Sequence, residues 1–582
     1  MRRMKGAAVA VSVGLLAAAC GGSSHGNSGN TPSGSASTGT TASSGSPASN
    51  GGGSAAATSY KKGGSVTISN EAGQNWTCQF NPFNPAVSSL SVGFVYEPLV
   101  YVNSLQSGKA TPMLASAYQW NADGTQIMFT IRDGVKWSDG QPMTAADVAF
   151  TFNLMKQVPA IDNYSLWTGA GLQSVAANGN QVTMTFAANA KTYFYLFAGQ
   201  VPIVPQHIWS TGDPAAKPDS WADTTPVGTG PFTVSPCAPN NITYKANPNY
   251  WMPGEPYIQT VQYPAYLDNG PANLDLANGK AQWGGQYIPN IDAAYKSKNA
   301  GNNYWFPPMT NVALIPNLDS SHQATSTLAV RQAIAAALDR EQISKIGESG
   351  YQPAANQTGI VTPTFDKYFD QAALTASGYD KPDTAKATQL LASAGYSQAK
   401  PLKLNVITVT GYTDWDASLA VIKQQLKPIG IDLTIQDLDG QTYNDKLYKG
   451  NFDLAYGPQL SGGPSPYYEL RQLLYSKNSA PIGTDAASNY ERYNNAAVDK
   501  LFDDYATADD AGQVSIIKQV EAHMISDVPF IPTTESVDWY QYNTSDLQGW
   551  PTKEDPFAQP APWNFPDDEQ VLLHLYSKSA QK

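Results

Sequence analysis

Three aspartates, Asp133, Asp139 and Asp147, fall within fifteen residues around Trp137 in the stretch TIRDGVKWSDGQPMTAADVAF. Carboxylates this close could act as general acid and base or hold a metal. Their neighbours predict another role. Asp133 and Asp139 each precede a glycine, the signature of a tight turn. Asp147 stands three residues after Thr144, the capping-box position of a helix start, where the helix dipole favours its charge. None of the five histidines, His25, His207, His322, His523 and His574, lies in an H-E-x-x-H pattern, and the chain has no P-loop. GSSHG around Ser24 fits G-x-S-x-G, but it lies in a segment with neither the strand nor the helix that a nucleophile elbow requires. A secreted glycosidase with paired carboxylates stays open as the enzyme alternative, because such a pair can come from distant positions. No catalytic residue, metal or cofactor is assigned.

The cysteines carry the next piece of chemistry. The N-terminus, MRRMKGAAVAVSVGLLAAACGG, has a basic start at Arg2, Arg3 and Lys5 and an apolar run from Ala7 to Ala19, too short to span a bilayer. It reads as a signal peptide over residues 1–20, with AAAC resembling a lipobox and Cys20 as the lipidated residue; plain cleavage near Ala19 is the alternative. Acyl chains on Cys20 would anchor the chain to the outer face of a bacterial cytoplasmic membrane at about 0.8 kcal/mol per buried methylene. Cys78 and Cys237 remain. In an oxidising compartment they predict a disulfide, two separate buried thiols being the alternative. Neither has a second cysteine or a histidine at zinc-ligand spacing.

Residues 21–59 are Gly, Ser, Thr, Ala and Asn with almost no bulky apolar side chain. Such a segment cannot bury a core and reads as a tether. The remaining stretch is too long for one core and implies two or more lobes. Tyrosine reaches 32 and charged residues only 14%, so neutral hydrogen-bonding surfaces dominate. The net charge of −12 and the lack of a basic stripe exclude a nucleic-acid partner.

The elements that must position these residues follow from periodicity. GGSVTISN predicts a strand with Val66 and Ile68 on one face, and Ile127, Phe129 and Ile131 alternate in a hairpin turned at Asp123-Gly124. Val330, Ile334, Ala337 and Leu338 share a helix face, with Asp339 capping the next helix. Ala387, Leu390, Leu391 and Ala394 form a second amphipathic face ended by Gly395. LKLNVITV, ASLAVIKQQLKPIG and IDLTIQDL form a strand–helix–strand unit, which predicts a parallel or mixed sheet. QVSIIKQVEAHMISD is a late helix before the strand-like VPFIPTTESV.

YEPLV, the long block ATPMLASAYQWNADGTQIMFTIRDGVKWSDGQPMTAADVAFTF, GTGPFTV, ANPNYWMPGEPYI, AVRQAIAAALDRE, YDKPDTAKATQLLASAGY and KPIGIDLTI occur in that order. Together they resemble the family 5 extracytoplasmic solute-binding proteins of ABC importers, the peptide- and nickel-binding group. The resemblance implies an α/β fold of two lobes, of the periplasmic-binding-protein type, closing around a ligand by a hinge. Carried over, lobe I comprises 60–103, 226–312 and 530–576, with an added subdomain at 104–225, and lobe II comprises 313–529. Cys78 and Cys237 then share a lobe, which favours the disulfide. The implied partners are a small-molecule ligand and the permease subunits of an ABC importer, and a monomer is expected.

The ligand is the open question. Peptide binders of the family hold the peptide's α-ammonium on an aspartate after a strand ending FD-A, with a tryptophan three residues before it. In FDLAYGPQLSGGPSPYYEL, Gly462 stands at the aspartate position and Gln459 at the tryptophan position. An ammonium buried without a carboxylate costs several kcal/mol, by the order of magnitude for a buried charge, so either another acid holds the amine or no free ammonium is bound. Trp76 and Trp283 lie in blocks resembling the family's oligosaccharide-binding branch, where rings stack on sugars; core packing is the competing reading for both. Gln459, Asn81, Ser461 and Tyr467 are candidate polar contacts, and Ser91, Val92 and Gly93 lie where family members offer backbone groups. A short peptide leads by the family's habit, an oligosaccharide follows, and a metal chelate comes third, with a non-transport sensor or adhesin as a further use of such lobes.

Overall fold

Alternation along the strands becomes two packed faces most plainly in the second lobe. In the strand Pro308–Pro316, Val312 and Leu314 enter one apolar cluster and Ala313 and Ile315 the opposite one. Both faces of this sheet are therefore covered, as expected for a sheet carrying parallel strands. Its order is Ile431–Leu438, Leu402–Val409, Leu454–Pro458, Pro308–Pro316, Ile531–Val537. The first two pair in parallel along their whole length and are joined by the helix Thr413–Leu426, so the predicted crossover unit forms. That helix starts four residues earlier than the apolar periodicity indicates, which brings Asp414 and Asp416 into its first turn.

The computed structural model describes residues 60–70, 75–84, 92–266, 269–410, 412–458, 462–486 and 488–582. The signal peptide, the tether, Cys20, Ser91, Gln459 and Ser461 lie outside these residues. Among the described residues no helix is long and apolar enough to cross a membrane.

The first lobe carries a seven-stranded sheet in the order Asn302–Tyr304, Gln541–Asn543, Trp283–Gly284, Ser65–Ser69, Thr260–Pro264, Asn241–Ala246, Phe232–Ala238. Ser65–Ser69 is central and parallel to both its neighbours, and Val66 and Ile68 are fully buried. Residues Ala115–Trp120, Gln126–Ile131, Gln181–Phe186 and Leu172–Asn178 form a separate four-stranded antiparallel sheet, against which the helix Ala145–Gln157 packs. Its apolar side is continuous with the core of the first lobe.

Two chain segments cross between the lobes, and they run side by side. Asn302–Tyr304 pairs with Gln541–Asn543 in the first sheet, and Pro308–Pro316 pairs with Ile531–Val537 in the second. Between them the Trp305 amide donates to the Tyr540 carbonyl at 3.2 Å and the Asp538 amide to the Pro307 carbonyl at 2.8 Å. The expected lobe boundary at 312/313 falls inside one of these crossing strands. Ile531–Val537, expected in lobe I, is hydrogen-bonded into the second sheet.

Candidate functional site

The aspartates around Trp137 resolve into scaffolding. Gly134 and Gly140 have φ of +79° and +91°, so both Asp-Gly steps are turns that need glycine. The Asp147 carboxylate accepts the Thr144 amide at 2.8 Å, the Thr144 hydroxyl at 3.0 Å and the Gln206 amide at 3.0 Å, which ties the helix start to the segment before a second short helix. Asp139 accepts the Gln141 amide at 3.0 Å and meets His207 Nε2 at 2.9 Å near the surface. Among the described residues no group of three or more His, Cys, Asp or Glu side chains is arranged to hold a metal. Trp137 is fully buried, and Trp251 donates its indole N–H to Glu97 at 2.8 Å.

In sheets with parallel strands, ligands bind beyond the carboxyl ends of those strands. Here those ends are Ser69–Asn70 and Gly284–Gln286 in lobe I, and Val409, Leu438 and Pro458 in lobe II. The two lobes touch at both margins of the cleft so defined. On the hinge side the Tyr287 hydroxyl lies 2.7 Å from Ser349 Oγ, the Ile291 amide donates to Tyr351 Oη at 2.9 Å, and Phe306 meets Tyr351 and Trp539 at 5.7 and 4.8 Å between ring centroids. On the far side the Tyr468 hydroxyl donates to the Thr192 carbonyl at 2.6 Å, and the rings of Tyr468 and Tyr195 meet at 5.2 Å. Both margins being in contact makes this a closed arrangement.

The residues singled out in the sequence take varied places. Cys78 and Cys237 form a disulfide, which fastens the segment 75–84 to the edge strand of the first sheet. Trp76 and Trp283 lie in the core. The Trp76 indole N–H donates to the Tyr263 carbonyl at 2.7 Å and its ring meets Tyr263 edge-on. Trp283 is 0% exposed, donates to the Pro560 carbonyl at 2.8 Å and packs against Trp550. Both indoles are buried in this closed arrangement and tied by their N–H to a carbonyl of their own lobe, with Trp283 beside the carboxyl end of its strand. Asn81 is buried and donates to the carbonyls of Pro218 and Trp221, so its amide is engaged internally.

Val92 opens a short helix, Val92–Val95, and is half-buried. Gly93 is buried, and a Cβ there would fall 2.0 Å from Asp568 Oδ1. Gly93 therefore serves a close approach to the helix Asp567–His574. Gly462 is half-buried and lies over the crossing strand, where a Cβ would be 3.2 Å from Thr310 Cγ2. Tyr467 is 2% exposed and stacks on Tyr505 at 4.3 Å, as part of the tyrosine group behind Tyr468.

Sequence reading missed the acids of lobe II. Asp414 and Glu348 are both fully buried, and burial together with the negative charge of Asp414 pushes the Glu348 carboxyl well up. Asp414 is pushed up to about 7, chiefly by burial. Ser418 Oγ donates to Glu348 Oε1 at 2.7 Å. Burial raises the phenol of Tyr287 in lobe I, and the nearby Asp414 and Glu348 add to the rise. The available signal was TDWDAS directly after a predicted strand end, which the late helix start had placed in a loop.

A family profile described as "Bacterial extracellular solute-binding proteins, family 5 Middle" matches residues 109–481. Protein XP55 of Streptomyces lividans is 26% identical over 411 residues, covering 67% of this chain and 70% of that protein. The periplasmic murein peptide-binding protein MppA of Escherichia coli is 24% identical over 495 residues, 82% and 86% of the two chains. Among solved structures, the mannohexaose-bound periplasmic oligopeptide-binding protein of an oligopeptide ABC transporter from Thermotoga maritima superposes with a TM-score of 0.79 at 25% identity, covering 88% of this chain and 98% of that one. The oligopeptide-binding protein AppA of Bacillus subtilis, in complex with a nonapeptide, shares the fold with a TM-score of 0.70 at 20% identity, over 89% and 99% of the two chains. With a profile match over more than half its length and a two-lobed fold hinged on a pair of crossing strands, the chain belongs to the family 5 bacterial extracellular solute-binding proteins of ABC importers.

Proposed function

We propose that this protein captures a short peptide between its lobes and delivers it to the permease of an ABC importer, held at the membrane by lipid on Cys20. The observation that carries the reading is the pair of adjacent crossing strands between two α/β lobes in contact at both margins of the cleft. This is the architecture of a hinge that closes on a ligand. Peptide-binding names among the relatives support the ligand class. An oligosaccharide is the second reading, favoured by the mannohexaose-bound neighbour and by Gly462 standing where peptide binders carry an aspartate.

Calorimetry with di- to pentapeptides against cello- and manno-oligosaccharides tests this. Peptide binding with no response to the sugars is the expected result; saturable sugar binding without peptide binding would replace it with the second reading. Cys20→Ala is expected to release the protein from the membrane fraction, and retention of that variant at the membrane sinks the lipid anchor.

A further inference from the structure

Lobe I holds a cavity of about 170 Å³ between the short helix Gln206–Trp209 and the segment 221–227. That is well beyond the space a single water needs. None of its lining residues belongs to the strand ends that define the interlobe cleft. Pro205, Ile208 and Val227 make an apolar wall. Beside it the indoles of Trp209 and Trp221 meet nearly at right angles, with centroids 5.3 Å apart. Both are held from outside the cavity. Phe83 meets the buried Trp209 ring edge-on at 5.5 Å, and the Trp221 carbonyl accepts the Asn81 amide at 2.9 Å. Ile208, Trp221 and Val227 are half-buried and Thr225 is exposed, so the cavity has a mouth at the surface.

One charged side chain lines it. Asp223 is 2% exposed. Its Oδ2 accepts the Tyr96 hydroxyl at 3.0 Å, its Oδ1 accepts the Thr225 amide at 3.2 Å, and its backbone carbonyl accepts the Phe80 amide at 2.8 Å. The carboxylate is thus fixed in place, yet both of its donors are neutral and it can accept further bonds. No lysine, arginine or histidine among the described residues pairs with it, and His207, on the same short helix as Trp209, meets Asp139 instead. Burial raises the carboxyl, and the two hydrogen bonds offset that only in part. A cation beside it would relieve the cost. The cavity sets Asp223 apart from an acid that is merely buried.

The chemistry narrows the occupant. Aromatic rings beside a carboxylate suit an organic cation. A primary ammonium carries three N–H donors and would meet a wall that is mostly apolar. A quaternary ammonium carries none, so its charge faces the carboxylate while its methyl groups lie against rings and apolar side chains.

We infer that this cavity is a second binding site, in lobe I and outside the cleft, for a small quaternary ammonium compound. Trp209 and Trp221 pack on its methyl groups, and Asp223 balances its charge. The site goes beyond the importer reading, and its failure leaves that reading untouched.

The test titrates choline and its uncharged isostere 3,3-dimethylbutan-1-ol into the full chain by calorimetry. The same titrations use Asp223→Asn, which keeps the shape and the acceptor oxygen, and Trp221→Leu, at the half-buried ring. Thermal midpoints show which variants fold. Choline is expected to bind tighter than the isostere by about 10-fold or more, the scale of a partly desolvated cation–aromatic contact with a charge behind it. Asp223→Asn is expected to lose most of that preference, and Trp221→Leu to weaken choline by about 2- to 30-fold. Trp221→Leu serves alone if Asp223→Asn does not fold. No saturable choline binding to the wild type overturns the site. Equal binding of the two probes overturns it as well, since the cavity would then be a plain apolar hole. Unchanged choline affinity in either folded variant also overturns it.

Discussion

At the scale of single residues, the two tryptophans that resemble a sugar platform are buried and hydrogen-bonded within their own lobe. Trp76 and Trp283 each close an indole hydrogen bond inside lobe I. Truncating a buried tryptophan costs about 3–5 kcal/mol, so Trp76→Ala and Trp283→Ala are expected to lower the denaturant midpoint strongly. Equilibrium unfolding in urea checks this; an unchanged midpoint with loss of sugar binding would restore the platform role. Gly93 makes a sharper case. A methyl group there collides with the Asp568 carboxylate, and overpacking costs about 1–3 kcal/mol. Gly93→Ala is expected to destabilise within that range by the same measurement, and a neutral result would mean that the Asp567–His574 helix yields.

Elements decide how the lobes meet. The disulfide joins residues 159 apart in sequence, and removing such a native cross-link costs about 2–5 kcal/mol. The double variant Cys78→Ser/Cys237→Ser is expected to lose that much, and a digest of the unreduced wild type should yield the two cysteine peptides linked. The far margin of the cleft hangs on Tyr468, whose hydroxyl reaches the Thr192 carbonyl. Tyr468→Phe deletes one hydrogen bond, worth about 0.5–1.5 kcal/mol. The expected result is a faster ligand off-rate in stopped-flow, by about 2- to 13-fold, with the thermal midpoint nearly unchanged. An unaltered off-rate would show that the hinge-side contacts alone hold the closed state.

Across the whole molecule, burial has raised many carboxyls. Glu469 and Glu491 are pushed up to about 8, and Asp538 and Asp567 to about 7, each chiefly by burial. Glu97 and Glu569 face each other through the Tyr250 hydroxyl, and burial pushes both up. Each of these groups binds its proton more tightly folded than unfolded, so the folded chain holds extra protons between about pH 4.5 and pH 8. Stability then falls as pH rises through that window. Differential scanning calorimetry is expected to give a higher midpoint at pH 5.5 than at pH 8; the reverse order would mean that these carboxyls are ionised at little cost.

The sequence by itself determined the local elements and the family. Strands 402–409 and 431–438, the Thr144–Asp147 cap and the Asp-Gly turns all follow from periodicity and turn chemistry, which act over a few neighbouring residues. The two-lobed class was legible too, because seven blocks in order carry it. Tertiary structure decided the rest. The carbonyls that fix the two indoles, Tyr263 for Trp76 and Pro560 for Trp283, lie 187 and 277 residues away in the chain, so only the fold brings them together. Likewise Glu348 and Asp414 are unremarkable in sequence. They become a pair only because one helix ends where another begins, at the cleft end of a sheet. Burial there, a property of the folded chain and of no single segment, raises both carboxyls above their ordinary values.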